Sequence, residues 1–159
     1  MNVTIMSRGD AIRYCHRRHN EKTILISISD PYIIYTSKPQ KIRDSGVLDI
    51  LRLTFADADR VSGQDVYGRI VSEVDMMTDE DAQKIVQFIN RYPNTDIIVH
   101  CDAGISRSSG VGAAILKYFT GDDSAIFKNH HYYPNMWCYR KTLTALMEQE
   151  DTDGVNKAV

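Results

Sequence analysis

Cys101 and Arg107 stand six positions apart in the run His100-Cys101-Asp102-Ala103-Gly104-Ile105-Ser106-Arg107-Ser108, and their types suit nucleophilic attack on a phosphate. The run follows a short strand-like segment, residues 96–100, and leads into a helical pattern from residue 106. A loop in that position can turn successive backbone N–H groups toward one point, at the positive end of the following helix. Such a cradle favours a phosphate dianion and stabilises a thiolate at its base. Asp102, Ala103, Gly104, Ile105 and Ser106 are therefore expected to hold phosphate through their amides, and Arg107 through its side chain. A guanidinium offers two parallel N–H groups to two phosphate oxygens, a geometry lysine does not reproduce. Gly104 lets the backbone turn tightly and leaves room beside a ligand. Ser108 carries a hydroxyl in position to donate to the sulfur and help it leave. A free cysteine is ordinarily a small buried hydrophobe. Gly104, Arg107 and Ser108 at these offsets weigh against that reading of Cys101.

The elements that must position this run can be read from pattern. Strands are expected over residues 2–7, 23–29, 48–55 and 96–100, the second of them β-branched, the third partly alternating and the last of buried type. Helices are expected over residues 10–19, from Thr78 to Tyr92, from residue 106 to Phe119, at Asp123 or Ser124, and from Pro134-Asn135 onward. Thr78 is followed by Asp79, Glu80 and Asp81, which suit a helix start, and Ala82, Ile85, Val86 and Ile89 share one face. Residues 36–46 are expected to be a loop, and residues 56–77 show no period. Arg8-Gly9-Asp10 reads as a turn into a helix rather than an adhesion motif. Alternating strands and helices point to an α/β three-layer sandwich with a short, mostly parallel central sheet flanked by helices. The expected organisation is one domain over residues 1–149, with a frayed tail at 150–159.

The phosphate run resembles the Cys-x5-Arg signature of the protein tyrosine phosphatase superfamily, and its filling is most similar to the dual-specificity branch. Tyr133-Pro134-Asn135 resembles the Pro-Asn pair that opens the last helix there, and the likeness spans residues 48–146. The resemblance implies a phosphocysteine mechanism at Cys101 with no metal or cofactor. It implies that His100 helps hold the loop and the thiolate, and that an aspartate on a separate loop protonates the leaving oxygen. That loop should follow a neighbouring strand at the same sheet edge. Asp57 is the first candidate and Asp59 the second, with Asp65 and Asp75 behind them, and any of these can instead cap a turn. The implied substrate is a phosphorylated protein or peptide, with a phosphate or sulfate ion fitting the loop. Asp102 and Ile105 stand where lipid-directed relatives carry lysines, which weighs against polyphosphorylated lipids.

Net charge of −2 gives no reason to expect nucleic acid or a membrane surface as partner. No apolar run is long enough to span a bilayer, and Met1-Asn2-Val3-Thr4 lacks the layout of a secretory signal. Cys15, Cys101 and Cys138 are too few and too scattered for a disulfide framework or a zinc site, so a monomer in a reducing cytoplasm is expected. His130-His131 reads as a polar surface pair rather than a metal site. Two rival readings remain at this level: a non-catalytic phosphate-binding module, and a thiol redox enzyme such as an arsenate reductase. The second needs Cys15 or Cys138 to reach Cys101.

Overall fold

The two segments richest in buried β-branched residues take the two central places of the sheet. The computed structural model describes residues 1–17, 19, 22–32, 46–65 and 68–156, with side chains to residue 149. Strands β1 (Val3–Ser7), β2 (Thr23–Ser29), β3 (Ile50–Thr54) and β4 (Asp96–Cys101) lie in the order β1-β4-β2-β3. Each described pairing is parallel. Strands buried on both faces read as continuous apolar runs, as β2 and β4 do.

Alternation assigns the faces. Ile24, Ile26, Ile28, Leu53, Ile97 and Val99 point into the larger core. There they meet Ala82, Ile85, Val86, Phe88 and Ile89 of α2 (Asp79–Arg91), Val111 and Ile115 of α3 (Arg107–Thr120), and Ala145 and Leu146 of α5 (Met136–Asn156). Leu25, Ile50 and Ile98 face the other way, onto Ala11 and Cys15 of α1 (Arg8–Cys15). A short helix, α4 (Ser124–Phe127), precedes α5. The molecule is thus the expected three-layer α/β sandwich. No helix of the described residues is long and apolar enough to cross a membrane.

Element ends differ from the sequence expectation for identifiable reasons. α1 begins at Arg8, not Asp10, because Ser7 caps it: its hydroxyl accepts from the Asp10 amide at 3.2 Å. Arg8-Gly9-Asp10 is therefore the first turn of the helix. α1 also stops at Cys15, four residues before the expected end at His19. β3 is shorter than residues 48–55; Leu48 is half-exposed, although its N–H still reaches Thr23 O at 2.8 Å. α5 opens one residue after Asn135, whose side-chain oxygen accepts from the Cys138 amide at 3.0 Å in the manner of a cap. The Thr78 start holds as a capping box with Asp81. The period-free stretch contains a 3-10 turn, Glu73–Asp75, and a small core of Ala56, Ala58, Val71 and Met76. Of the loop expected over 36–46, residues 36–45 lie outside the described residues, as do residues 157–159 of the expected tail.

α3 is nearly swallowed by the fold, its residues 107–115 all buried. It can sit this close to the α5 lead-in because Gly110 has no side chain: a β-carbon there would lie 2.4 Å from Asn135 O. Gly110→Ala should therefore force the two segments apart and cost about 1–3 kcal/mol of stability. Urea unfolding checks this, and an unchanged midpoint would mean that the contact has slack.

Candidate active site

A parallel sheet gathers the carboxyl ends of its strands along one edge. Here β1 ends at Ser7 opposite Cys101, and Ser27 of β2 pairs with His100. Beyond these ends come Arg8, Asp30, Phe55 and Asp57, and the loop from Cys101 to Arg107. Residues scattered from position 8 to position 107 are thus brought to one place.

The loop is held open by what its carbonyls do. Asp102 O accepts from the Arg8 amide at 3.2 Å, Ile105 O from Tyr133 N at 2.9 Å, and Ser106 O from Asn135 N at 3.1 Å. Ser109 Oγ also donates to the carbonyls of Ile105 and Ser106. With those oxygens tied outward, the N–H groups of Ala103, Gly104, Ile105 and Ser106 have no partner among the described residues. Gly104 is required here: its φ is +74°, and a β-carbon would lie 2.6 Å from the Met6 carbonyl carbon. Ser106 precedes α3 without a side-chain cap to the helix amides, because its hydroxyl donates to Asp57 Oδ1 at 2.7 Å.

Cys101 is buried at the loop base, its Sγ 3.2 Å from Ser108 Oγ. Arg107 is 4% exposed, so its charge needs partners. Nη1 donates to Phe55 O at 2.8 Å and lies 3.8 Å from Asp30 Oδ2; Nη2 donates to Asp102 Oδ2 at 3.1 Å. Nε is buried with no hydrogen-bond partner, 3.9 Å from Asp57 Oδ2. Burial works against the charge of Arg107, but Asp57, Cys101, Asp102 and Asp30 together outweigh it and hold the group above its ordinary value.

Asp57 and Asp59 sit differently. Asp57 is half-buried against the loop, and its Oδ1 also accepts from Asn135 Nδ2 at 2.9 Å. Asp59 is exposed on the rim of a cleft of about 430 Å³ that Asp57, Ile105, Ser106, Tyr133 and Asn135 also line. Asp65 is engaged by Arg69 at 2.7 Å, and Asp75 accepts from Tyr32 Oη at 2.6 Å. Neither this cleft nor a larger one of about 620 Å³ between β1, α1 and Gly104 is lined by Cys101.

Three participants escaped the sequence reading. Asp30 is not among the expected site residues, yet its nearly sealed carboxylate faces Arg107 and accepts from Tyr32 N at 2.8 Å. Asn135 was noticed as a helix opener, but its amide also fixes Asp57 and the Ala58 carbonyl. Arg8 lay in a presumed turn. For Arg8 and Asp30 the available signal is a polar residue directly after a strand, at the ends of β1 and β2. Of the other cysteines, Cys15 packs on the opposite face of the sheet. Cys138 shares the core with Cys101, and burial, then the charge of Asp57, pushes its thiol well above the ordinary value.

No family model matches the sequence, and neither does any curated protein. Solved structures do. PTPMT1 in complex with PI(5)P aligns over 96% of this chain and 94% of its own, at 17% identity and a TM-score of 0.54. A second PTPMT1 structure gives 18% identity over the same shares with the same score. Tk-PTP in its active form covers 94% of this chain and 90% of its own, at 17% identity and a TM-score of 0.50. The chain has their fold, that of the cysteine-based protein tyrosine phosphatases.

Beneath the loop, His100 is fully buried between Ser27 and the Cys101 carbonyl. A carbonyl only accepts, so Nδ1 carries the proton toward Cys101 O at 3.1 Å. Nε2 lies 2.8 Å from the Ser27 hydroxyl, which donates to it when the ring is neutral. Burial lowers its pKa from 6.5 to about 4. Because the folded value is depressed, the unfolded chain binds the extra proton first, and stability is lost as pH falls from about 6.5 toward about 4. At pH 5 the loss should reach about 2 kcal/mol from this group. His100→Asn should flatten that slope in urea melts at pH 7 and pH 5; an equal slope in both proteins would assign it elsewhere.

Proposed function

We propose that the protein is a cysteine-dependent phosphate monoester hydrolase. The observation that carries this reading is the set of unclaimed donors around Cys101: four loop amides and Arg107 Nε, at the start of a buried helix. Buried donors without acceptors are costly, and a phosphate supplies acceptors to all of them at once. The fold likeness to PTPMT1 and Tk-PTP supports the same conclusion.

In this reading the Cys101 thiolate attacks phosphorus, and the bond to the ester oxygen breaks. The loop amides and Arg107 hold the three remaining oxygens, with Nη1 steadied on Phe55 O while Nε and Nη2 meet the phosphate. Asp57 gives its proton to the departing oxygen. It then takes a proton from the water that cleaves the phosphocysteine, while Ser108 donates to the sulfur as it leaves. His100 stays neutral and sets the loop base. Asp57 is favoured over Asp59 because Ser106 and Asn135 fix its carboxyl beside the cradle. A redox role through Cys138 is disfavoured, since a thiol whose ionisation burial suppresses is a poor resolving nucleophile. A non-catalytic phosphate-binding module would not need a poised cysteine and carboxyl.

The substrate follows as a proposal of the same kind: a phosphorylated protein or peptide, with phosphotyrosine as the first member of the class. A second reading rests on PTPMT1, whose structure holds PI(5)P; a singly phosphorylated inositol lipid does not require the lysines this loop lacks.

Turnover of p-nitrophenyl phosphate tests the chemistry. Cys101→Ser should abolish it while inorganic phosphate still binds, and turnover unchanged by that substitution would overturn the reading. Asp57→Asn should slow turnover by about 10²- to 10⁴-fold. Asp59→Asn should stay near wild type, and the reverse pattern would transfer the acid role. A phosphotyrosine peptide assayed beside vesicles carrying PI(5)P decides between the two substrates by kcat/KM.

A further inference from the structure

Asp102 is the one carboxylate inside the phosphate loop. A negative charge in an anion cradle should repel the ligand, so its position calls for a physical account. Arg8 supplies it. The Arg8 amide donates to Asp102 O at 3.2 Å, and its Nε donates to Asp102 Oδ1 at 2.9 Å. Main chain and side chain thus grip the same residue. Nη2 of Arg8 reaches across to Ser29 Oγ at 2.9 Å, at the end of β2. The Arg8 side chain is only 17% exposed, so this bond is sheltered from solvent. The other carboxylate oxygen, Oδ2, accepts from Arg107 Nη2 at 3.1 Å. One carboxylate is therefore shared by two guanidiniums.

The balance of charge around the loop makes the sharing consequential. Asp30, Asp57 and Asp102 face Arg107, and the proposed mechanism requires a fourth negative group at Cys101. Arg69 meets part of this charge, being paired with Asp65 at 2.7 Å and with Asp30 at 3.7 Å, but no ion pair joins it to Asp57 or Asp102 among the described residues. A phosphate that takes Nη2 of Arg107 competes with Asp102 for it, and any displacement of Asp102 is favoured by the repulsion between carboxylate and dianion. The displaced carboxylate then keeps Arg8 as its partner and does not confront the incoming dianion alone.

We propose that Arg8 is a positioning residue for phosphate binding: it neutralises and holds Asp102, so that this carboxylate can aim Arg107 in the empty loop and release it to the ligand. The proposal rests on the phosphatase reading above.

The test measures binding of inorganic phosphate to the full chain by titration calorimetry, with p-nitrophenyl phosphate kinetics alongside. Arg8→Gln should weaken phosphate binding about tenfold and raise KM to match, with kcat within about twofold. Arg8→Lys, which keeps the charge, should stay within about threefold of the wild type. The deciding variant is Arg8→Gln combined with Asp102→Asn. With the stranded carboxylate removed, it should bind phosphate more tightly than Arg8→Gln alone. A merely structural arginine would give a double variant no tighter than the single one, and that result overturns the proposal, as does unchanged binding in Arg8→Gln. Should Arg8→Gln not fold, Arg8→Met, which keeps the apolar stem, enters the same comparison. A wild type that neither binds phosphate nor turns over the ester would sink the phosphatase reading and this proposal together.

Discussion

A guanidinium held out of water constrains the whole active edge. Arg107 is 4% exposed, and a charge so buried is tolerated only where fixed partners surround it. Those partners come from every side: Asp30 beyond β2, Phe55 O and Asp57 beyond β3, and Asp102 in the loop itself. The parallel sheet makes this possible, because its strands all end at one edge. The guanidinium in turn explains why Asp30 and Asp102 follow directly on β2 and β4, where a simple turn would have served as well.

The second constraint is the loop backbone. Carbonyls and amides of successive residues point in roughly opposed directions, so fixing one set fixes the other. Arg8 N, Tyr133 N and Asn135 N claim the carbonyls of Asp102, Ile105 and Ser106 from outside. The amides of Ala103 and Ser106, which share peptide planes with the carbonyls of Asp102 and Ile105, are thereby turned away from those outside partners. This gives the segment before α5 a function beyond linking helices: it braces the cradle. Gly110 and Gly104 serve the same end by letting Asn135 and β1 approach closely.

Much of this was legible in the sequence, and what was not has a common cause. β2, β4, the start of α2 and the cradle are local patterns, in which strand character, cap or loop residues stand beside what they act on. The expected strand and helix positions follow the structure closely there. Arg8, Asp30 and Asn135 act on residues 94, 77 and 78 positions away (Asp102, Arg107 and Asp57), which no local period encodes. The described residues between 56 and 77 have no period because they fold around a small core of their own and around the buried carboxylate of Asp65, which Arg69 meets from the surface. The end of α1 was missed for a related reason, since its length is set by packing Ala11 and Cys15 on the sheet.

The three cysteines show that environment, not residue type, decides what a thiol can do. Cys15 is sealed among Ala11, Leu25, Ile50 and Ile98 and contributes volume. Cys138 lies in the larger core, where burial and the nearby Asp57 charge disfavour its thiolate. Cys101 belongs to the same core, yet its sulfur meets the Ser108 hydroxyl, and it stands at the mouth of a loop whose amides have no other acceptor. Only there would an anion, whether sulfur or phosphate oxygen, gain hydrogen bonds on arriving rather than lose them. The neutral ring of His100 below adds no charge that would compete for that anion, and the buried guanidinium of Arg107 lies close enough to interact with the sulfur. On the proposed function, one balance would serve both ends, since an environment that favours anionic sulfur also favours phosphate oxygen.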